Sequence, residues 1–229
     1  MNAQLGSVIV TGSAGLIGKT VTKSLESIGY KVLEVDIALG HDLCNENFVK
    51  EWFKNNHADH LVNLFAINDG ITVDRKETDF LGINLDAFKK TLDVNVVALL
   101  SVCREYIRNQ DLGTIINFSS IYGLGSPRKD MYPDGEKFIG YGVSKAAVIQ
   151  LTKHLAVHAG PKFRVNCVVP GGVYANQPDD FVKRYSRNVP IGRMMELGEI
   201  SGIVEFLLSK GASYCSGGIY PIDGGWTAW

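Results

Sequence analysis

Val8-Ile9-Val10-Thr11-Gly12-Ser13-Ala14-Gly15-Leu16-Ile17-Gly18 is the stretch that decides the fold. Its first three residues read as a buried strand. Beyond them, apolar residues recur through Val21 and Leu25 to Ile28 with a helical period, and Gly29 ends the run. A glycine-rich turn therefore joins a strand to a helix. Glycines let a backbone turn sharply and come close to a pyrophosphate, whose charge the helix N-terminus favours. Gly12, Ser13, Ala14, Gly15, Leu16, Ile17 and Gly18 form the candidate phosphate cradle.

The next strand, Lys31 to Val35, ends at Asp36, 18 residues beyond Gly18. That is near the spacing at which a carboxylate meets the adenosine ribose of a dinucleotide. Asp36 would accept hydrogen bonds from a ribose diol and repel a 2′-phosphate. No arginine follows it, and Ala14 brings no positive charge into the loop. The expected cofactor is NAD in preference to NADP.

Strand and helix patterns alternate to the end of the chain. Strands are expected at 5–10, 31–36, 60–65, 113–118, 163–169 and 219–222, helices at 15–28, 46–55, 85–108, 138–159, 178–187 and 196–209. Such alternation predicts an α/β fold, a doubly wound parallel sheet with helices on both faces, in a single domain spanning 1–229. Ligands of such sheets bind beyond the carboxyl ends of the strands. Asp36, Ser119-Ser120 and Pro170-Gly171-Gly172 fall at such ends and can share one cleft.

Tyr141-Gly142-Val143-Ser144-Lys145 lies in the long helix pattern. Residues four apart share a helix face, so phenol and ammonium are neighbours. A cation beside a phenol lowers its pKa, and the pair can then exchange a proton near neutral pH. A serine near that phenol would steady negative charge growing on a carbonyl oxygen. Of Ser119 and Ser120, strand alternation lets only one face the cleft.

Composition narrows the partners. The 229 residues are 45% hydrophobic and 21% charged, with net charge −1. These values suit a soluble globule and argue against nucleic acid. Four scattered cysteines show no metal spacing, no apolar run reaches membrane-span length, and the first strand begins almost at once. A cytoplasmic protein without a leader and with no bound metal is expected. His154 and His158 have metal-ligand spacing but lack a third ligand, so they read as a solvated face.

Together these segments resemble the short-chain dehydrogenase/reductase family over essentially the whole chain. The resemblance rests on TGSAGLIG at 11–18, Asp36, His41-Asp42-Leu43, LDVNVVALL at 92–100, INFSSIYG at 116–123, YGVSK at 141–145, RVNCVVPGGV at 164–173 and PIDGG at 221–225. It implies a Rossmann-like fold of the compact type. It also implies Tyr141 as the catalytic acid/base, Lys145 as its partner and a ligand of the nicotinamide ribose, Ser120 on the substrate oxygen, and Asn95 holding a water of the proton relay. Asp42 and Leu43 match the pair beside the adenine. Ala66 stands where the family contacts the cofactor after the third strand, Pro170 and Gly171 form the turn beyond the fifth, and Val173 positions the carboxamide.

The pattern also departs from the family. The glycine spacing, TGxxGxxG, is similar to that of sugar-nucleotide epimerases. Asn63-Leu64-Phe65-Ala66 stands in place of Asn-Asn-Ala-Gly, and Tyr141 lies 21 positions after Ser120, a longer step than usual. The extra residues, about 124–138, must loop out and bring Arg128, Lys129 and Lys137. A substrate lid is expected at about 174–195, with Lys183, Arg184 and Arg193 available to an anion.

The expected activity is NAD(H)-dependent interconversion of a secondary alcohol and a ketone. The segments PGGV…NQPDDFVKRYS and DGGWTAW are similar to those of oxidoreductases of bacterial surface-sugar and nonulosonic-acid pathways. That suggests an anionic small molecule, a sugar phosphate or nucleotide sugar, and a place in carbohydrate biosynthesis. A sugar epimerase or dehydratase that regenerates its NAD, and a non-catalytic NAD-binding regulator, are the alternatives. The terminal Trp226 and Trp229 point to a subunit interface in a homo-oligomer, a tetramer or a dimer.

Overall fold

The computed structural model describes residues 5–68, 81–133 and 135–229. Six parallel strands, β1 (Gly6–Thr11), β2 (Tyr30–Val35), β3 (His60–Asn63), β4 (Gly113–Phe118), β5 (Phe163–Pro170) and β6 (Ile219–Ile222), form one sheet. Their order is β2-β1-β3-β4-β5-β6. The chain steps one way from β1 to β2 and then reverses, so the carboxyl ends of β1 and β3 flank the switch point where such sheets bind ligands.

The strands are apolar on both faces. In β1, Ile9 enters one core while Val8 and Val10 enter the other, and all three are fully buried. Leu61 and Val62 of β3 divide in the same way, as do Ile115 and Ile116 of β4. Each such side chain contributes about 1.5–3 kcal/mol through burial. This two-sided demand draws helices onto both faces.

The helices follow the expected spans closely. They are α1 (Leu16–Ser27), α2 (Glu46–Asn55), α3 (Leu85–Leu92), α4 (Leu99–Arg108), the one-turn α5 (Ile121–Leu124), α6 (Ile139–Ala159), α7 (Asp179–Arg187) and α8 (Ser201–Leu208). Asn45 caps α2 by accepting from the Asn47 and Phe48 amides, and Asn84 caps α3 in the same way. The expected helix 85–108 is interrupted: a π-helical turn at Asp93–Ala98 joins α3 to α4. The expected helix 196–209 begins as a 3-10 turn at Leu197–Ile200.

The terminal tryptophans separate. Trp226 is buried in its own chain and stacks on Tyr185 of α7 at 4.8 Å between centroids, whereas Trp229 is 73% exposed. Trp226 is therefore an anchor for α7 and not an interface residue, because its indole face is already covered. Only Trp229 remains open to a neighbour.

Candidate active site

Three glycine positions shape the cradle between β1 and α1. Gly12 has φ +71°, and a Cβ there would lie 2.4 Å from the Phe65 nitrogen. A Cβ on Gly18 would lie 2.0 Å from the Gly12 carbonyl oxygen. Gly15 is the N-cap of α1 and caps it with no side chain, which leaves the helix's first amides to backbone or ligand. The Ser13 hydroxyl is fully buried without a hydrogen-bond partner. A turn kept bare of side chains, at a helix N-terminus with an unused hydroxyl, fits a dinucleotide pyrophosphate.

Asp36 closes the turn from the side. One carboxylate oxygen accepts from the Ala14 amide at 3.0 Å and the other from the Ala38 amide at 2.8 Å. The group is almost fully buried at the end of β2. Asp42 is exposed and accepts from the Cys44 amide, while Leu43 packs into the core beneath it. Ala66 is exposed beyond the end of β3.

At the other end of the cleft, Ser120 and Tyr141 meet. The Ser120 hydroxyl lies near enough to the Tyr141 phenol to favour its ionised form, and it accepts from the Tyr122 amide as N-cap of α5. Among the described residues of the 21-residue step between them, the chain forms α5, a 3-10 turn at Lys129–Met131 and the start of α6. Ser119 faces the opposite way: its hydroxyl donates to the Lys145 carbonyl at 2.6 Å, against the bare Cα of Gly123. One serine ties β4 to α6 and the other addresses the cleft.

Lys145 is buried and donates to the Phe118 carbonyl at 2.9 Å. Its nitrogen lies 5.8 Å from the Tyr141 ring centroid. Burial lowers its pKa to about 8. The expected depression of the Tyr141 pKa is not found. Burial raises it, opposed by the nearby Ser120 hydroxyl. The lysine's charge is spent on a carbonyl, and the phenol sits away from water, so the uncharged phenol is the resting form.

Asn95 makes three hydrogen bonds through its side chain. Buried in the π turn, its side chain accepts from the Ile67 amide at 2.8 Å and donates to the Ile67 carbonyl at 3.0 Å and to the Ser144 hydroxyl at 3.0 Å. It clamps the segment after β3 to α6 next to Tyr141. Val173 bridges to Met195, and its carbonyl accepts from Gln177 Nε2 at 2.9 Å. Gly171 and Gly172 lie against Tyr185, whose hydroxyl accepts from the Gly172 amide.

A buried polar row escaped the sequence reading. Thr11 donates to Asn63 at 3.0 Å, Asn63 to Asn117 at 2.9 Å, and Asn117 to Thr152 of α6 at 3.0 Å. Thr11 pairs with Asn63 and Asn63 with Asn117 in the sheet register. The signal was present: Thr11, Asn63 and Asn117 each follow an apolar strand run. This row locks the strand ends that carry the cradle to the helix that carries Tyr141.

His154 and His158 are exposed, their rings 4.2 Å apart, and the described residues include no cluster that could hold a metal. No helix among them is long and apolar enough to cross a membrane.

The chain as a whole is similar to known proteins. A family model described as enoyl-(acyl carrier protein) reductase matches residues 2–227. The chain is 30% identical to the 3-oxoacyl-[acyl-carrier-protein] reductase FabG of Aquifex aeolicus (strain VF5), over 97% of this chain and 88% of that one. A short-chain dehydrogenase from Leptospira borgpetersenii serovar Hardjo-bovis with bound NAD+ superposes with TM-score 0.86 at 30% identity, covering 99% of this chain and 94% of that one. A Beutenbergia cavernae protein with bound NADP shares the fold, with TM-score 0.84 at 24% identity over 100% and 99% of the two chains. This chain belongs to the short-chain dehydrogenase/reductase family and is one of its nicotinamide-dependent oxidoreductases.

Proposed function

We propose that residues 1–229 act as one NAD(H)-dependent unit that interconverts a secondary alcohol and a ketone on an anionic small molecule, a sugar phosphate or nucleotide sugar. The observation that carries the reaction is the convergence of Ser120, Tyr141 and the buried Lys145, whose nitrogen lies 5.8 Å from the Tyr141 ring centroid. When bound, the nicotinamide supplies or accepts the hydride. In reduction, the Tyr141 phenol gives its proton to the carbonyl oxygen as negative charge grows there, and the Ser120 hydroxyl donates to the same oxygen. In oxidation, Tyr141 takes the alcohol proton. Lys145 holds the ribose side of the cofactor, and Asn95 keeps the wall beside Tyr141 in place. Asp36 supports NAD, since its buried carboxylate would repel a 2′-phosphate.

Arg128, Lys129 and Lys137 around the cleft support an anionic substrate. The relatives named for 3-oxoacyl carrier-protein reduction favour a second reading, in which the ketone is a 3-oxoacyl thioester. NADH oxidation with a panel of keto-sugar phosphates and acetoacetyl-CoA separates the two. Tyr141→Phe is expected to lower turnover about 10²–10⁴-fold while NADH still binds; unchanged turnover would reject the catalytic assignment.

The exposed apolar residues Val97, Leu100, Ile139 and Val143 on neighbouring helices, together with Trp229, support a homo-oligomer. Sedimentation velocity should give a dimer or tetramer, and a monomer at all accessible concentrations would refute it.

A further inference from the structure

The insertion between Ser120 and Tyr141 sets a second phenol near Tyr141. Its 3-10 turn, Lys129–Met131, is fixed to the fold: Met131 is fully buried, and Asn188 at the end of α7 donates to Met131 Sδ at 3.6 Å. Tyr132 follows that turn. Its hydroxyl lies 2.8 Å from that of Tyr122 in α5, and its ring centroid lies 6.1 Å from that of Phe181 in α7. Three elements therefore hold it in place. Tyr132 is near enough to Tyr141 to disfavour ionisation of that phenol.

Tyr122 and Tyr132 are both half-buried, and their two hydroxyls carry two protons. One proton lies between the two oxygens. Neither hydroxyl has another hydrogen-bond partner among the described residues, so the pair keeps one donor and spare lone pairs. Both rings line a cavity of about 710 Å³ between the insertion and the first turns of α6, which leaves the pair open on one side.

We propose that Tyr132 is a specificity-determining residue: its phenol, held by Tyr122, hydrogen-bonds a hydroxyl on a carbon next to the reacting carbonyl, so that the site selects α-hydroxy ketones. This rests on the ketone-binding role given above to Tyr141 and Ser120. A plain ketone of the same shape puts a methyl group against the pair and leaves the spare donor unmatched, which costs binding in a half-buried site. A 3-oxoacyl chain is disfavoured for the same reason, since neither carbon beside its ketone carries a hydroxyl.

The test compares kcat/KM for NADH oxidation within two pairs of ketones that exchange a hydroxyl for a methyl group. They are 1-hydroxybutan-2-one with pentan-3-one, and acetoin with 3-methylbutan-2-one. A hydroxyl also makes the neighbouring carbonyl more electrophilic, so the wild-type ratio is set against the ratio in Tyr132→Phe. That variant keeps the ring against Tyr122 and Phe181 and removes only the phenolic oxygen. It should lower the ratio by about tenfold in at least one pair, the loss falling on the hydroxylated member. Tyr122→Phe, which removes the oxygen that orients Tyr132, should lower it too and repeats the measurement if Tyr132→Phe does not fold.

No reduction of either hydroxylated ketone, or an unchanged ratio in Tyr132→Phe, overturns the proposal. So does an equal loss for both members of a pair, which would make Tyr132 a packing residue of the insertion. Tyr141→Phe separates the two levels of the argument. It should lower turnover of both members alike; if it lowers neither, the catalytic assignment fails while the Tyr132 ratio is still measured.

Discussion

Lys145 carries an ammonium into a place that water does not reach, and its pKa falls from 10.5 to about 8 because burial penalises the charge. In the unfolded chain the same group keeps its proton to much higher pH. Between the two values the unfolded state binds more protons, so this residue's burial cost is present in full below about pH 8 and relieved as pH rises toward 10.5. Lys145→Met should therefore be more stable than the wild type in urea unfolding near neutral pH, and the gap should narrow through that window. A gap independent of pH would mean that the lysine is not buried as a cation. The cost is tolerated because the site needs a cation here, bonded to the Phe118 carbonyl and stacked behind the Tyr141 ring. Ser119 and Ser120 show the same economy of position: adjacent residues with opposite directions, one structural and one in the cleft.

The π turn at Asp93–Ala98 is the element that joins the two halves of the site. It places Asn95 where one amide side chain satisfies both backbone groups of Ile67 and reaches Ser144. Asn95→Ala would leave the Ile67 amide and carbonyl without that partner in a half-buried segment. The expected loss is about 1–3 kcal/mol of stability, read by denaturant unfolding. KM should also rise, since the strand extension beside Tyr141 is released. Loss of stability without any kinetic effect would limit Asn95 to a structural role. Helix α7 is likewise anchored where Tyr185 stacks on Trp226 and accepts from the Gly172 amide. The expected lid is thus tied to the C-terminus and to the turn that precedes Val173. A sequence reading could mark this segment as irregular but could not find its anchor, because Tyr185 and Trp226 are 41 positions apart.

Across the whole molecule, the sheet order sets cofactor and substrate chemistry in one groove. The reversal after β2 puts Asp36 and the glycine turn at one end of the carboxyl edge and Ser120 with Tyr141 further along it. Asp36 faces the cradle with both oxygens engaged, and in the function proposed above it is the diol acceptor and the group that repels a 2′-phosphate. Asp36→Ala should narrow the preference for NADH over NADPH by about tenfold or more, measured as the ratio of kcat/KM values. An unchanged ratio would detach cofactor choice from this carboxylate.

The strands, the helices, the glycine turn and the Tyr141–Lys145 pair were legible along the chain, because each depends on local periodicity or on residues within one or two turns of each other. Direction and burial were not. That Ser119 turns to the Lys145 carbonyl, that the Tyr141 pKa rises where a neighbouring cation alone would lower it, and that Asn95 spends its amide on Ile67 depend on residues brought together from different elements. The Thr11–Asn63–Asn117–Thr152 row has the same origin: each residue ends its own run unremarkably, and only the parallel register makes them one chain of hydrogen bonds. Local pattern specifies which elements form, since it acts within a single segment. Desolvation and hydrogen-bond pairing act between segments, so the electrostatics of the site exist only once the sheet and its helices have closed around it.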